Sequence, residues 1–417
     1  MLKKNFYKTQ DKPFGAVREK PAIEGGPKVR KNSQLTPFPY SFGKEEIMEV
    51  VNTLKSGWIT TGPKVQIFEK TVKHYVGCKY TAALNSCTAG LHLSLIAAGV
   101  GRGDEVITTP FTFAATANVI MHVGATPVFV DIQKDTYNIN PDLIEKAITK
   151  KTKAIIPVHY GGHPCDMDEI LKIAKKHNLA VIEDAAHAIG AKYRGKNIGT
   201  ISDFTVFSFY ATKNITTAEG GMVCLKSAYL KKKIKIIGLH GMNRDAWKRY
   251  GKGGYWYYEI KYPGFKYNMT DIQASLGIHQ IKKLNKFINR REKIAKSYDK
   301  LFKDLPEIKI PAIRSYVKHA RHLYSILIDL DKLKINRDQF FKALDAENIG
   351  TSVHFIPVHL HPYYKNTFGY KKGDYPVTEH VFERIISLPM HPAMSKKDLQ
   401  DVVKAVRKII IYYRKNG

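Results

Sequence analysis

Cysteine is scarce in this sequence: Cys78, Cys87, Cys165 and Cys224 are the four in 417 residues, with no CxxC pair and no framework spacing. That excludes a fold stapled by disulfides and suits a reducing compartment with free thiols. Long hydrophobic runs are missing as well. No stretch approaches the roughly 18 uninterrupted apolar residues of a membrane span. The opening MLKKNFYKTQDKPFG is basic without an apolar h-region, so no secretory signal is expected and the expected location is the cytoplasm. Acidic residues are the third shortage, 37 against 67 lysines and arginines, which gives a formal net charge of +30. The excess is spread along polar helix faces such as LKIAKKH and IKKLNKFINRREKIAKSY, so it reads first as solvated surface. A field that attracts an anionic substrate, such as a nucleotide diphosphate, is the sharper reading. No helix-turn-helix, zinc-finger or RNA-recognition signature is present, and no nucleic-acid or membrane partner is expected.

What is present is a chain that is 44% hydrophobic and 25% charged, enough for a large core. Its length implies two domains, or one large domain with an appended lobe. Residues 1–35 read as an extended arm, 36–280 as a large domain and 281–417 as a smaller α+β domain. After a helix over about Lys44–Leu54, strand-like runs at 81–85, 105–109, 126–132, 154–160, 180–184, 204–209 and 221–225 alternate with helical stretches, among them 88–98, 141–149 and 167–177. Continuously apolar strands between helices predict an α/β fold with a mostly parallel seven-stranded sheet covered on both faces. The last two strands lack an intervening helix, which predicts mixed pairing at one edge. A long helix, with a break inside it, is expected from about Thr270 to Phe302. The small domain is expected to hold a strand at 323–329, a helix near 337–347 and a helix after Ser395.

Ligands of such sheets bind beyond the carboxyl ends of the strands. Four groups of residues sit there. AVIEDAAHA puts Asp184 at a strand tip, where a carboxylate either caps the next helix or holds a buried cation such as a protonated pyridine nitrogen; His187 follows three residues later. FSFYATKNITTAEGG sets Lys213 among Phe207, Phe209 and Tyr210, where desolvation makes an ammonium a nucleophile and proton shuttle, with Ser208 five residues before it. NSCTAGLHLSL joins a strand to a helix start, an anion site built from backbone N–H groups, Ser86 and Thr88, or a plain N-cap. TTPFTFAATAN offers Phe111 and Phe113, either core or a ring-stacking aromatic.

Taken in this order, together with SGWITTGPKV, GATPVFVDI, VHYGGHPCDMDEI, KYNMTDIQASLG and VHFIPVHLHPYY, these motifs resemble the DegT–StrS family of pyridoxal-phosphate (PLP) nucleotide-sugar aminotransferases from about residue 36 onward. The resemblance implies fold type I of the aspartate aminotransferases, with PLP held as a Schiff base on Lys213. It implies Asp184 as the pyridinium partner, His187 near the ring hydroxyl, Phe113 as the stacking aromatic, and the Cys87-Thr88 peptide with Ser208 on the phosphate. It also implies a homodimer in which Asn268 reaches the phosphate of the neighbouring subunit. Where many relatives read TTGEGG, this chain has Ala218, so a slightly different local backbone is expected there. Some relatives carry histidine in place of the lysine and act as dehydratases; Lys213 favours transamination, from glutamate to a nucleotide-linked keto-sugar of the 4-keto-6-deoxy type. An aminotransferase for a cyclitol or another keto-substrate, or a dehydratase, is the alternative. Trp58, Thr60, Tyr210, Lys252, Tyr255, His354 and His359 are the candidate substrate contacts. A zinc hydrolase built on His159, His163, Cys165, Asp166 and Asp168 is disfavoured, because Gly161, Gly162 and Pro164 break the helix that an i,i+4 pair requires. No metal is expected.

Overall fold

The computed structural model describes residues 19–37, 42–243 and 256–415. Its first core is built around a seven-stranded sheet of β1 (Tyr80–Leu84), β2 (Glu105–Thr108), β3 (Thr126–Phe129), β4 (Thr152–Ile155), β5 (Ala180–Asp184), β6 (Phe204–Ser208) and β7 (Gly221–Leu225), in the order β1-β7-β6-β5-β4-β2-β3. β7 pairs antiparallel with both β1 and β6, and the remaining contacts are parallel. The antiparallel strand is therefore second from the edge. A hairpin-type return from β6 leaves β7 no other direction, and β1 closes the edge in parallel orientation.

Helices α1 (Lys44–Lys55), α2 (Pro63–Val76), α3 (Cys87–Ala97), α4 (Ala114–His122), α5 (Met167–His177) and α6 (Ala228–Ile237) accompany the sheet. α3 is apolar on all sides and buries Leu91, Leu93 and Leu95 almost completely. Each such side chain contributes roughly 1.5–3 kcal/mol relative to exposure. At Gly90 this helix lies so close to β6 that a Cβ would sit 2.5 Å from a Val206 methyl. The expected helix at 141–149 shrinks to Pro141–Ile144 followed by a 3-10 turn. α2 has no counterpart among the expected helices. Its amides are capped from far away in sequence, by the buried Asp271 carboxylate, which accepts from Gly62 N (2.8 Å), Lys64 N (3.1 Å) and Val65 N (3.0 Å).

α7 (Asp271–Phe302) runs unbroken for 32 residues, about 48 Å at 1.5 Å per residue. The expected break is absent because the helix keeps an apolar stripe throughout. Ala274 to Ile288 pack into the first core, whereas Ile294, Ala295, Tyr298 and Phe302 enter the second. The change of core thus falls inside α7, after Ile288. The second core holds β8 (Ile308–Lys309), β9 (Tyr324–Ile328) and β10 (Ile385–Leu388), paired antiparallel in that order, with α8 (Arg337–Ala346) and α9 (Lys396–Tyr413).

Residues 19–35 are not a free arm. Leu35 enters the second core, and Glu347 accepts from the backbone N of Ala22 and Val29, both at 2.7 Å. The same carboxylate meets Lys408 Nζ at 2.9 Å, with both side chains buried, and Lys408 also donates to Pro27 O at 2.6 Å. Removing one member of a buried pair leaves the other charge uncompensated. Glu347→Ala should therefore destabilise the protein by about 3–5 kcal/mol in chemical denaturation; a loss under about 1 kcal/mol would show that this anchor does not hold the segment.

Candidate active site

The parallel strands carry their carboxyl ends to one edge of the sheet, and a cleft of about 520 Å³ opens there. Asp184 ends β5. Its carboxylate Oδ2 accepts from Thr116 Oγ1 at 2.8 Å and its Oδ1 from Ala186 N at 3.1 Å. Lys213 follows β6 in the turn that leads to β7. Burial lowers its ammonium pKa to about 8, against the raising pull of Asp184. Among the described residues that line the cleft it is the only lysine or arginine.

The turn at Ser86 lines the same cleft. Ser86 caps α3 by accepting from Ala89 N at 3.0 Å, and Cys87 and Thr88 contribute first-turn amides that have no i−4 carbonyl. Gly221 runs directly beneath, where a Cβ would stand 2.3 Å from Ser86 O. Burial holds the Cys87 thiol well above its ordinary pKa, and the Asp184 charge adds to this, so Cys87 stays neutral. Ser208 Oγ faces the same cleft and accepts from Tyr210 N at 3.3 Å. The two aromatics separate: Phe111 is fully buried, whereas Phe113 caps α4 at the cleft with its ring 66% exposed.

Three histidines complete the wall. His187 lies 4.2 Å from the His322 ring and stacks on Phe355 at 5.8 Å. Its Nδ1 is buried without a hydrogen-bond partner. Burial and then the charge of Lys213 hold His187 well below its ordinary pKa and bring His354 to about 4, while burial and the neighbouring His187 hold His322 well below its own. All three are neutral at physiological pH. His322 donates from Nδ1 to Asn214 Oδ1 at 3.2 Å, and Asn214 donates to Ala320 O at 2.8 Å. The residue next to Lys213 is thereby tied to the segment that leads into β9.

The sequence matches the DegT/DnrJ/EryC1/StrS aminotransferase family over residues 41–407. The chain belongs to this family. It is a PLP-dependent aminotransferase. The spore coat polysaccharide biosynthesis protein SpsC of Bacillus subtilis is 51% identical over 384 residues, covering 92% of this chain and 99% of that protein. The PMP-form structure of the sugar aminotransferase Spr1654 (designated putative) from Streptococcus pneumoniae superposes with a TM-score of 0.85 at 38% identity, covering 90% of this chain and 99% of that one. DesI, solved in the presence of its TDP-sugar product, gives a TM-score of 0.82 at 31% identity over 93% of this chain and 95% of its own.

The aminotransferase cleft fits PLP by its own chemistry. It offers a desolvated amine, a carboxylate held by donors on both oxygens, helix-start amides for an anion, and a buried imidazole nitrogen still lacking a partner. Tyr210 and His354 also line it, with His354 Nδ1 2.9 Å from Ser387 Oγ. Other expected contacts lie elsewhere. His359 is fully buried against Glu379, 3.0 Å from Oε1, because a histidine in that packed turn has a carboxylate in reach and no path to the cleft. Trp58 donates to Thr61 O at 3.1 Å, and Thr60 O accepts from Asp271 N at 3.0 Å. Asn268 donates to Thr61 Oγ1 at 2.7 Å beside a separate cavity of about 370 Å³ lined by Lys231, Lys232 and Lys235. Lys252 and Tyr255 lie outside the described residues.

Thr112, Thr116, Asn214, His322 and Phe355 were not among the expected site residues. The two threonines lie within TTPFTFAATAN, at a four-residue spacing that was open to notice; His322 and Phe355 come from far along the chain and carry no local signal. His159 and His163 diverge. His159 Nε2 donates to Glu183 at 2.8 Å while its Nδ1 accepts from Cys165 N, whereas His163 Nε2 accepts from Arg314 N at 3.2 Å. The backbone at Ala218 has a left-handed φ of 67°, a conformation that glycine adopts freely and that strains a residue with a methyl by about 1 kcal/mol.

Proposed function

We propose that this aminotransferase carries an amino group from L-glutamate to the keto carbon of a nucleotide-linked sugar, of the 4-keto-6-deoxy type, with Lys213 as the cofactor-bearing lysine. The observation that carries the reading is Lys213, desolvated at the sheet's carboxyl edge in one cleft with Asp184. Asp184 would pair with the ring nitrogen, His187 would meet the ring hydroxyl and Phe113 the ring face. The Cys87-Thr88 amides and Ser208 would hold the phosphate. Bound PLP supplies an electron sink for the pair left when an amino acid loses its Cα proton. Lys213 Nζ takes that proton as general base and later returns one to the sugar carbon. The neutral histidines leave Lys213 as the group that shuttles protons near neutral pH.

The nucleotide sugar is supported by DesI with its TDP-sugar product and by SpsC in polysaccharide biosynthesis. The formal charge of +30 favours an anionic substrate. Asn268 lines a separate cavity and not the cleft of its own chain. This supports a homodimer in which Asn268 of the partner subunit completes the phosphate site. The expectation is tested by mixing two inactive variants, Lys213→Ala and Asn268→Ala. Mixed dimers would recover a site with both groups intact, and activity above that of either variant alone is expected; none would count against a shared site. For the substrate, the enzyme is first converted to its amino form with glutamate, then offered a panel of nucleotide 3-keto and 4-keto sugars. Return of the original cofactor absorbance with a 4-keto sugar is expected, and return only with non-nucleotide ketones would reject the assignment.

A further inference from the structure

Thr112 and Thr116 are both buried, at 1% and 0% exposure. A buried hydroxyl without a partner is unfavourable by at least about 1 kcal/mol, so each hydrogen has to be accounted for. Thr116 Oγ1 lies 2.8 Å from Asp184 Oδ2 and 2.8 Å from Thr112 Oγ1. An ionised carboxylate only accepts, so Thr116 spends its single hydrogen on Asp184. Its oxygen must then accept the hydrogen of Thr112. The direction of the chain follows: Thr112 to Thr116 to Asp184. On the far side of the carboxylate, Ala186 N donates to Oδ1 at 3.1 Å. Each carboxylate oxygen thus receives one protein donor, from α4 and from the turn after β5, and the plane of the group is held from two directions.

We infer that Thr116, backed by Thr112, is a positioning residue for amine transfer that acts through Asp184 by orienting its carboxylate. This rests on the reading of Asp184 as the partner of the cofactor ring. Donors in series polarise one another, so loss of Thr112 should weaken the same contact to a smaller degree.

The test uses holoenzyme. Thr116→Val keeps the shape and removes the hydroxyl. It is expected to lower kcat by about tenfold to thirtyfold, to leave KM for the amino donor within about twofold, and to reduce the visible circular dichroism of the bound cofactor, which reports how its ring is held. Thr116→Ser should restore kcat and dichroism to near wild type, and Thr112→Val should show a smaller loss with the same signature. The inference is overturned if Thr116→Val keeps wild-type kcat and dichroism, if its loss appears in KM alone, or if serine is as impaired as valine. Should Thr116→Val fail to fold, Thr112→Val and Thr116→Ser carry the same comparison. Asp184→Asn run alongside separates the two levels: a wild-type Asp184→Asn would sink the reading of Asp184, whereas an impaired Asp184→Asn beside an unimpaired Thr116→Val would sink the relay alone.

Discussion

Lys213→Ala is expected to reduce amine transfer by at least about a thousandfold, the upper part of what a positioned proton-transfer group contributes. The expectation rests on where this lysine lies rather than on its being a lysine, since the chain has many. Desolvation brings its pKa down to about 8 from the ordinary lysine value of 10.5. The sign follows from burial acting against the charged form. At pH 8 about half of the side chain is neutral amine, against well under 1% for a lysine in water. Capture of added pyridoxal phosphate by apo-protein should therefore accelerate about tenfold per pH unit up to roughly pH 8 and level off above it. Stopped-flow absorbance measures this directly. A rate still climbing through pH 10 would mean that the lysine is solvated, and a Lys213→Ala enzyme with wild-type turnover would remove it from the reaction altogether.

Asp184→Asn should cost about two to three orders of magnitude in kcat, the scale associated with losing one preorganised electrostatic contact at a reacting centre. The amide has the same shape and cannot balance a cationic ring. It also reverses the local pattern, because an NH₂ group turned toward Thr116 would meet a hydroxyl hydrogen already aimed at it. Affinity for PLP should fall along with kcat, read by equilibrium dialysis, while KM for the amino donor moves little. A variant that lost only cofactor affinity, and recovered full turnover when saturated with PLP, would reassign Asp184 to holding the cofactor rather than tuning it.

The parallel sheet, the carboxyl-edge position of Asp184 and Lys213, and the helix start at Ser86 were all legible, because each depends on local pattern: β-branched runs, a capping serine, a strand that stops at a charge. α2 was not legible, since its cap is the carboxylate of Asp271, some two hundred residues away. Phe111 and Phe113 read alike in sequence. They differ only because one points into the core and the other lies at the mouth of the cleft. His359 read as a site residue because it is a histidine in a chemically rich motif, and packing gave it Glu379 instead.

By itself, then, the sequence determined the α/β architecture, the family and the placing of Lys213 and Asp184 at the carboxyl edge of the sheet. These follow from periodicity and from residue types that few other arrangements would place together. Tertiary structure alone decided which side chains serve that pair. Thr116 reaches Asp184 across 68 positions of sequence with Thr112 behind it, and His322 meets His187 from far along the chain. Contacts of that kind depend on how strands and helices pack against one another, and packing leaves no period in the chain to be read.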